Sequence, residues 1–176
     1  MIDNPKQLEA SAEFTHTICR KLATGQGVHA ETAISAASRM AGTMLLRSCG
    51  LPIGQFTPGT SILFDGIDEE GEKLMGTVGE TLASLEVPFD PRKLEFDTPE
   101  TNSPQMGLAE TQSALDAEFR AILAKHRLTE QEGAQAAAVS TAVLIQKCAA
   151  FLDPHISYPI AVYGMVEAVK TVPWVS

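Results

Sequence analysis

Glu31, Ser35, Arg39, Thr43 and Arg47 recur at four-residue intervals, with Ser38 beside them. On a helix this spacing aligns them along one side. An acid, hydroxyls and two guanidinium groups so aligned could bind a carboxylate or phosphate through charge-assisted, often bidentate hydrogen bonds. The site would take a small anionic ligand, with Glu31, Ser35, Arg39 and Arg47 as its contacts and the turn-rich stretch from Pro52 to Gly66 as its roof. The competing reading is structural, because charges at this spacing commonly form the solvated side of an amphipathic helix. Burial of Arg39 and Arg47 is the observation that separates the two.

Other residues that could carry chemistry have weaker patterns. Glu13-x-x-His16 has the spacing with which di-metal helical bundles hold one ion, but such a centre needs a second copy of the motif and two further glutamates, and the sequence lacks that copy. No metal and no cofactor is therefore expected. The Thr57-Pro58-Gly59-Thr60 turn and Asp65-Gly66 could form an anion nest, yet neither a Walker pattern nor a dinucleotide fingerprint accompanies them. Cys19, Cys49 and Cys148 fall at or near apolar helix faces, where free cysteine behaves as a small hydrophobe. His155, beside Asp153-Pro154 and Tyr158, reads as a turn histidine without partners. Catalysis is accordingly not the leading expectation.

Bulk properties narrow the classes further. A chain of 176 residues can bury about 70% of its unfolded surface, enough for one core without disulfides or metal. Thirteen Lys and Arg against twenty-two Asp and Glu leave a net charge of −9, which repels phosphate backbones and anionic head groups. Nucleic acid and membrane are thus not expected partners. Three widely spaced cysteines are no disulfide framework, and neither a signal peptide nor a spanning apolar run is visible, so a cytoplasmic location is expected.

The elements that must position these residues read as all-α: one domain over 1–176, a bundle of about six helices. Asn4 can cap and Pro5 can open helix 1, which runs to about Ala23 with Leu8, Ala12, Thr15, Ile18, Cys19 and Leu22 on one face. Helix 2, about Val28 to Cys49, carries Ala33, Ala37 and Ala41 in a smooth line that admits a close neighbour, and Gly50-Leu51-Pro52 ends it. A short extended segment is expected near 57–66, around Ser61 to Phe64. Helix 3 covers about Asp68 to Val87, and its glycines at 71, 76 and 79 call for a packing or mobility reason.

A long irregular loop near 88–106 follows, anchored by Phe89, Leu94 and Phe96 and wrapping the bundle. Helix 4 covers about Leu108 to His126. Thr129-Glu130-Gln131-Glu132 is a capping box that launches helix 5 to about Leu152, where Asp153-Pro154 closes it. A last helix is expected from about Pro159 to Val172. Helices 2 and 5 are apolar around enough of their girth to suggest a homodimer, so self-association or partner binding is the leading functional expectation and the small anionic ligand the alternative.

Overall fold

The computed structural model describes residues 4–64, 66–94 and 102–174. Among them are six helices, α1 (Pro5–Lys21), α2 (Ala30–Ser48), α3 (Ile67–Ser84), α4 (Leu108–His126), α5 (Glu130–Cys148) and α6 (Pro154–Val169). They pack as a single all-helical bundle, as the periodicity predicts. No helix among the described residues is long and apolar enough to cross a membrane.

The predicted N-caps of α1 and α5 form as read. Asn4 Oδ1 accepts the Lys6 N–H at 3.1 Å, and Thr129 and Glu132 exchange the reciprocal bonds of a capping box. The buried face of α1 differs from the expected one. Thr15 and Ile18 are buried as expected, but Leu8 is 46% exposed and Ala12 is exposed, while Gln7, Ser11 and Phe14 turn inward. The reason lies in its neighbours: Phe14 stacks on Phe119 of α4 at 4.1 Å between ring centroids, and Gln7 and Thr15 bond to Gln135 and Ser140 of α5. Polar contacts between helices thus set the rotation that apolar spacing alone misplaced.

The central helix is α2, which touches each of the other five. His29, rather than Val28, marks its start, its ring accepting the Thr32 N–H. The helix meets α6 at Ser35, Ser38 and Gly42 so closely that a Cβ on Gly42 would lie 2.6 Å from the Met165 carbonyl oxygen, and one on Gly164 would lie 2.5 Å from Ser38 Oγ. Ala33, Ala37 and Ala41 are all buried, as are most of the alanines of α5. The close-packing surfaces of α2 and α5 are therefore filled within one chain.

The glycines of α3 behave otherwise. An added Cβ at Gly71, Gly76 or Gly79 would meet nothing within 4 Å, so no packing contact explains them. Gly76 is exposed in mid-helix. Gly76→Ala is expected to stabilise the protein by about 1 kcal/mol, because alanine loses less backbone freedom on entering a helix. Urea unfolding would register it as a raised midpoint; an unchanged or lowered midpoint would show that α3 needs its glycines.

The last helix begins five residues earlier than expected. Asp153 does not close α5, which ends at Cys148; it caps α6 by accepting the His155 N–H at 2.8 Å, with Pro154 in the first turn. Pro159 sits inside α6. Between α2 and α3 the expected extended segment forms: Gly59 N–H donates to Val172 O, Val172 N–H to Thr60 O, and Ile62 N–H to Lys170 O, each at 2.8–2.9 Å. This pairing holds the C-terminal tail beside the loop. The described ends of the 88–106 segment both dock on the bundle, through Phe89 against Tyr158 and through Gln105 N–H on Thr32 Oγ1. Phe96 lies outside the described residues.

Candidate functional site

The polar line on α2 does not converge on one place. Glu31 is only 13% exposed at its side chain and faces the His29 ring at 3.5 Å, beside a hollow of about 530 Å³ that Phe151 and Met106 also border. Ser35 and Arg39 border a smaller hollow of about 220 Å³ with Tyr163 and Glu167. The Arg39 guanidinium is largely buried and occupied: Nε and Nη2 donate to Glu167 Oε2 at 2.8 Å, and Nη1 donates to the Met106 carbonyl. It clasps α6 and the lead-in to α4. Thr43 accepts the Gln112 amide at 2.9 Å. Arg47 belongs to a third location, so the residues of the line border three separate hollows.

That third location is the most organised. Arg47, in the last turn of α2, donates to Asp116 Oδ1 at 2.6 Å, and the two side chains are 9% and 8% exposed. Asp116 Oδ2 meets Arg120 one turn further along α4 at 3.3 Å. Glu130, the first residue of α5, completes the group. Burial is the largest influence on its carboxyl and pushes its pKa up, against the pull of Arg47 and Arg120. Its Oε2 is fully buried and has no hydrogen-bond partner among the described residues.

Arg47, Arg120 and Glu130 border a cleft of about 510 Å³. Its remaining walls are mostly apolar. Ile53, Phe56 and Pro58 come from the loop after α2, and Val172, Pro173 and Trp174 from the C-terminal tail. Two devices hold the tail there. Gln112, wholly buried on α4, accepts the Trp174 N–H at 2.9 Å. Gly59, at φ +82°, leaves the space the indole occupies, since a Cβ there would lie 2.5 Å from Trp174 Cζ2. Phe56 and Trp174 stay 42% and 45% exposed, an aromatic rim over a charged floor.

No protein-family model, curated protein or solved structure matches the chain.

Elsewhere, Glu13 does not join His16, which is exposed. Glu13 instead accepts from Lys125 at 2.6 Å and pairs with buried His126 at 2.9 Å, and these hydrogen bonds hold its carboxyl below the usual range. His155 is not without partners: Nδ1 faces Asp153 at 2.8 Å and Nε2 accepts the Asp90 N–H at 3.1 Å. With Nε2 accepting, the proton sits on Nδ1, and the ring ties the start of the 88–106 segment to α6. The Gly59 and Thr60 N–H groups, candidates for an anion nest, are spent on Val172 O and Thr57 O. Burial pushes the Cys49 and Cys148 thiols up, away from the reactive thiolate. Of the residues expected from sequence to contact a ligand, Arg47 alone borders the aromatic cleft, and the Pro52 to Gly66 loop expected as a roof supplies Phe56; Asp116, Arg120, Glu130 and Trp174 were not anticipated.

Proposed function

We propose that the protein binds a small molecule in the cleft floored by Arg47, Arg120 and Glu130 and rimmed by Phe56 and Trp174. The observation that carries this reading is a cleft of about 510 Å³ that brings Arg47, Arg120 and Glu130 together with the half-exposed rings of Phe56 and Trp174. The volume lies in the range of small-molecule sites, and mostly apolar walls with a few convergent polar groups are what such sites use. The anionic ligand suggested by the polar line is less favoured, because Asp116 already neutralises Arg47 and Glu167 already neutralises Arg39.

A thermal-shift screen of small aromatic compounds tests the reading. Trp174 is the single tryptophan of the chain, so its emission reports on the cleft directly. Stabilising compounds are expected to change that emission, and Phe56→Ala to weaken them by roughly tenfold. Stabilising compounds that leave both Trp174 and the Phe56 variant indifferent would place binding elsewhere.

A second reading, a homodimer, now rests on residues other than those that first suggested it. Tyr163 and Val166, one turn apart on α6, are 52% and 45% exposed, and Leu63 is 81% exposed beyond the strand-like pairing. A second copy covering the outer face of α6 would bury Tyr163 and Val166. Light scattering at micromolar concentration would detect the dimer, and a monomer there that is unaltered by Tyr163→Glu would dispose of it.

A further inference from the structure

We infer that the protein holds a second ligand, an organic ammonium with an apolar body, in the hollow of about 530 Å³ where the Glu31 carboxylate of α2 meets the ring of Phe151. This hollow shares no bordering residue with the aromatic cleft, so the two sites stand or fall separately.

Charge is the first ground. Among the described residues bordering the hollow, Glu31 is the one Asp, Glu, Lys or Arg. Both of its oxygens stay open: neither accepts a described hydrogen bond, and Glu130 Oε2 is the one described side-chain atom that lacks a partner while sealed from solvent. The ring of His29, 3.5 Å away, does not neutralise the carboxylate. Its Nδ1 accepts the Thr32 N–H, which leaves a single proton on Nε2 and no charge on the ring. Arg39 reaches the carbonyl of Met106, another bordering residue, but is already paired with Glu167. Outside the described residues every ionisable side chain is acidic, Asp3, Asp65, Glu95, Asp97 and Glu100, so none of them could supply a cation. The N-terminus of α2 contributes about half a positive charge, and the hollow stays net negative.

The second ground is what the walls offer. An ammonium brings three N–H donors. Glu31 takes one, and the exposed amides of Gln26 and Gln105 present carbonyl oxygens to the others. Phe151, in the turn after α5, is 73% exposed, and the face of its ring attracts a cation. Leu22, Val28 and Met106 give an apolar body something to cover. A metal ion is poorly served, since one carboxylate falls far short of the roughly six to eight oxygens calcium takes. Glu31, expected from sequence to help hold an anion, thus serves the opposite charge.

Three probes with one non-aromatic body test this on the full chain at pH 8: cyclohexylmethylammonium, cyclohexylmethanol and cyclohexanecarboxylate. The carbon-13 shift of the Met106 methyl reports on the hollow, and Trp174 emission reports on the cleft. The ammonium is expected to move Met106 with a millimolar midpoint, roughly tenfold tighter than the alcohol and tighter still than the carboxylate, and to leave Trp174 unmoved. Glu31→Gln, which keeps the shape and gives up the charge, is expected to bring the ammonium level with the alcohol. Phe151→Ala, at a position too exposed for the fold to need, is expected to weaken the ammonium severalfold. Equal binding of ammonium and alcohol, a preference that survives Glu31→Gln, or a Met106 methyl that ignores all three probes would each overturn the inference.

Discussion

Asp116→Ala is expected to destabilise the protein by about 3–5 kcal/mol, the cost of breaking a buried ion pair from one side. Arg47 is 9% exposed and would lose the carboxylate it holds at 2.6 Å, in surroundings that solvate a guanidinium poorly. Arg120, being half-exposed, can turn to water and adds little to the loss. Urea unfolding with an unchanged denaturant dependence is the measurement. A loss below about 1 kcal/mol would mean the pair behaves as a surface bridge. Replacing both partners with apolar residues of similar volume, Arg47→Met with Asp116→Leu, is expected to recover most of the loss, because the desolvation cost disappears along with the attraction.

Gly42→Val should be nearly as damaging, at about 3 kcal/mol. The clash it creates is with the Met165 carbonyl, at 2.6 Å from the first added carbon, and with the Ala168 Cβ and Val169 nitrogen close behind. A backbone oxygen inside a helix cannot rotate aside, so α2 and α6 would have to separate along their length. Gly42→Ala should also destabilise despite the better helix propensity of alanine, in contrast to the stabilising Gly76→Ala on α3. If both alanine variants stabilised equally, propensity rather than close approach would govern α2, and the packing described for α6 would be wrong.

What could be read from the residues was local. The Thr129 to Glu132 box, the Asn4-Pro5 start and the Gly50-Leu51-Pro52 stop are written within a few positions of one another, and each formed where expected. The small residues of α2 announced a close neighbour without naming it, and α6 makes its close approach at Ser35, Ser38 and Gly42. Asp153-Pro154 was ambiguous in principle: an Asp-Pro pair can follow a helix or begin one, and only the ladder from Pro154 to Val169 decides for α6. The cleft was hidden for another reason. Arg47 meets Asp116 across 69 positions and Trp174 meets Gln112 across 62, so no window of sequence contains either pair. The readable signal was the Asp116 and Arg120 spacing on α4, which looks like any helix-surface pair until Arg47 arrives from α2.

The Glu130 carboxyl itself offers the most direct measurement. Burial raises its pKa, so the folded chain holds that proton more tightly than the unfolded one does. The stability this confers is full below the unfolded value and is lost as pH rises through the folded value. Glu130→Gln should therefore stabilise the protein above that window and not below it. Followed by the carbon-13 shift of its side-chain carboxyl, Glu130 is expected to titrate above the ordinary glutamate range in the free protein. A Glu130 that titrates like a surface glutamate would contradict the partly buried floor on which the cleft reading rests.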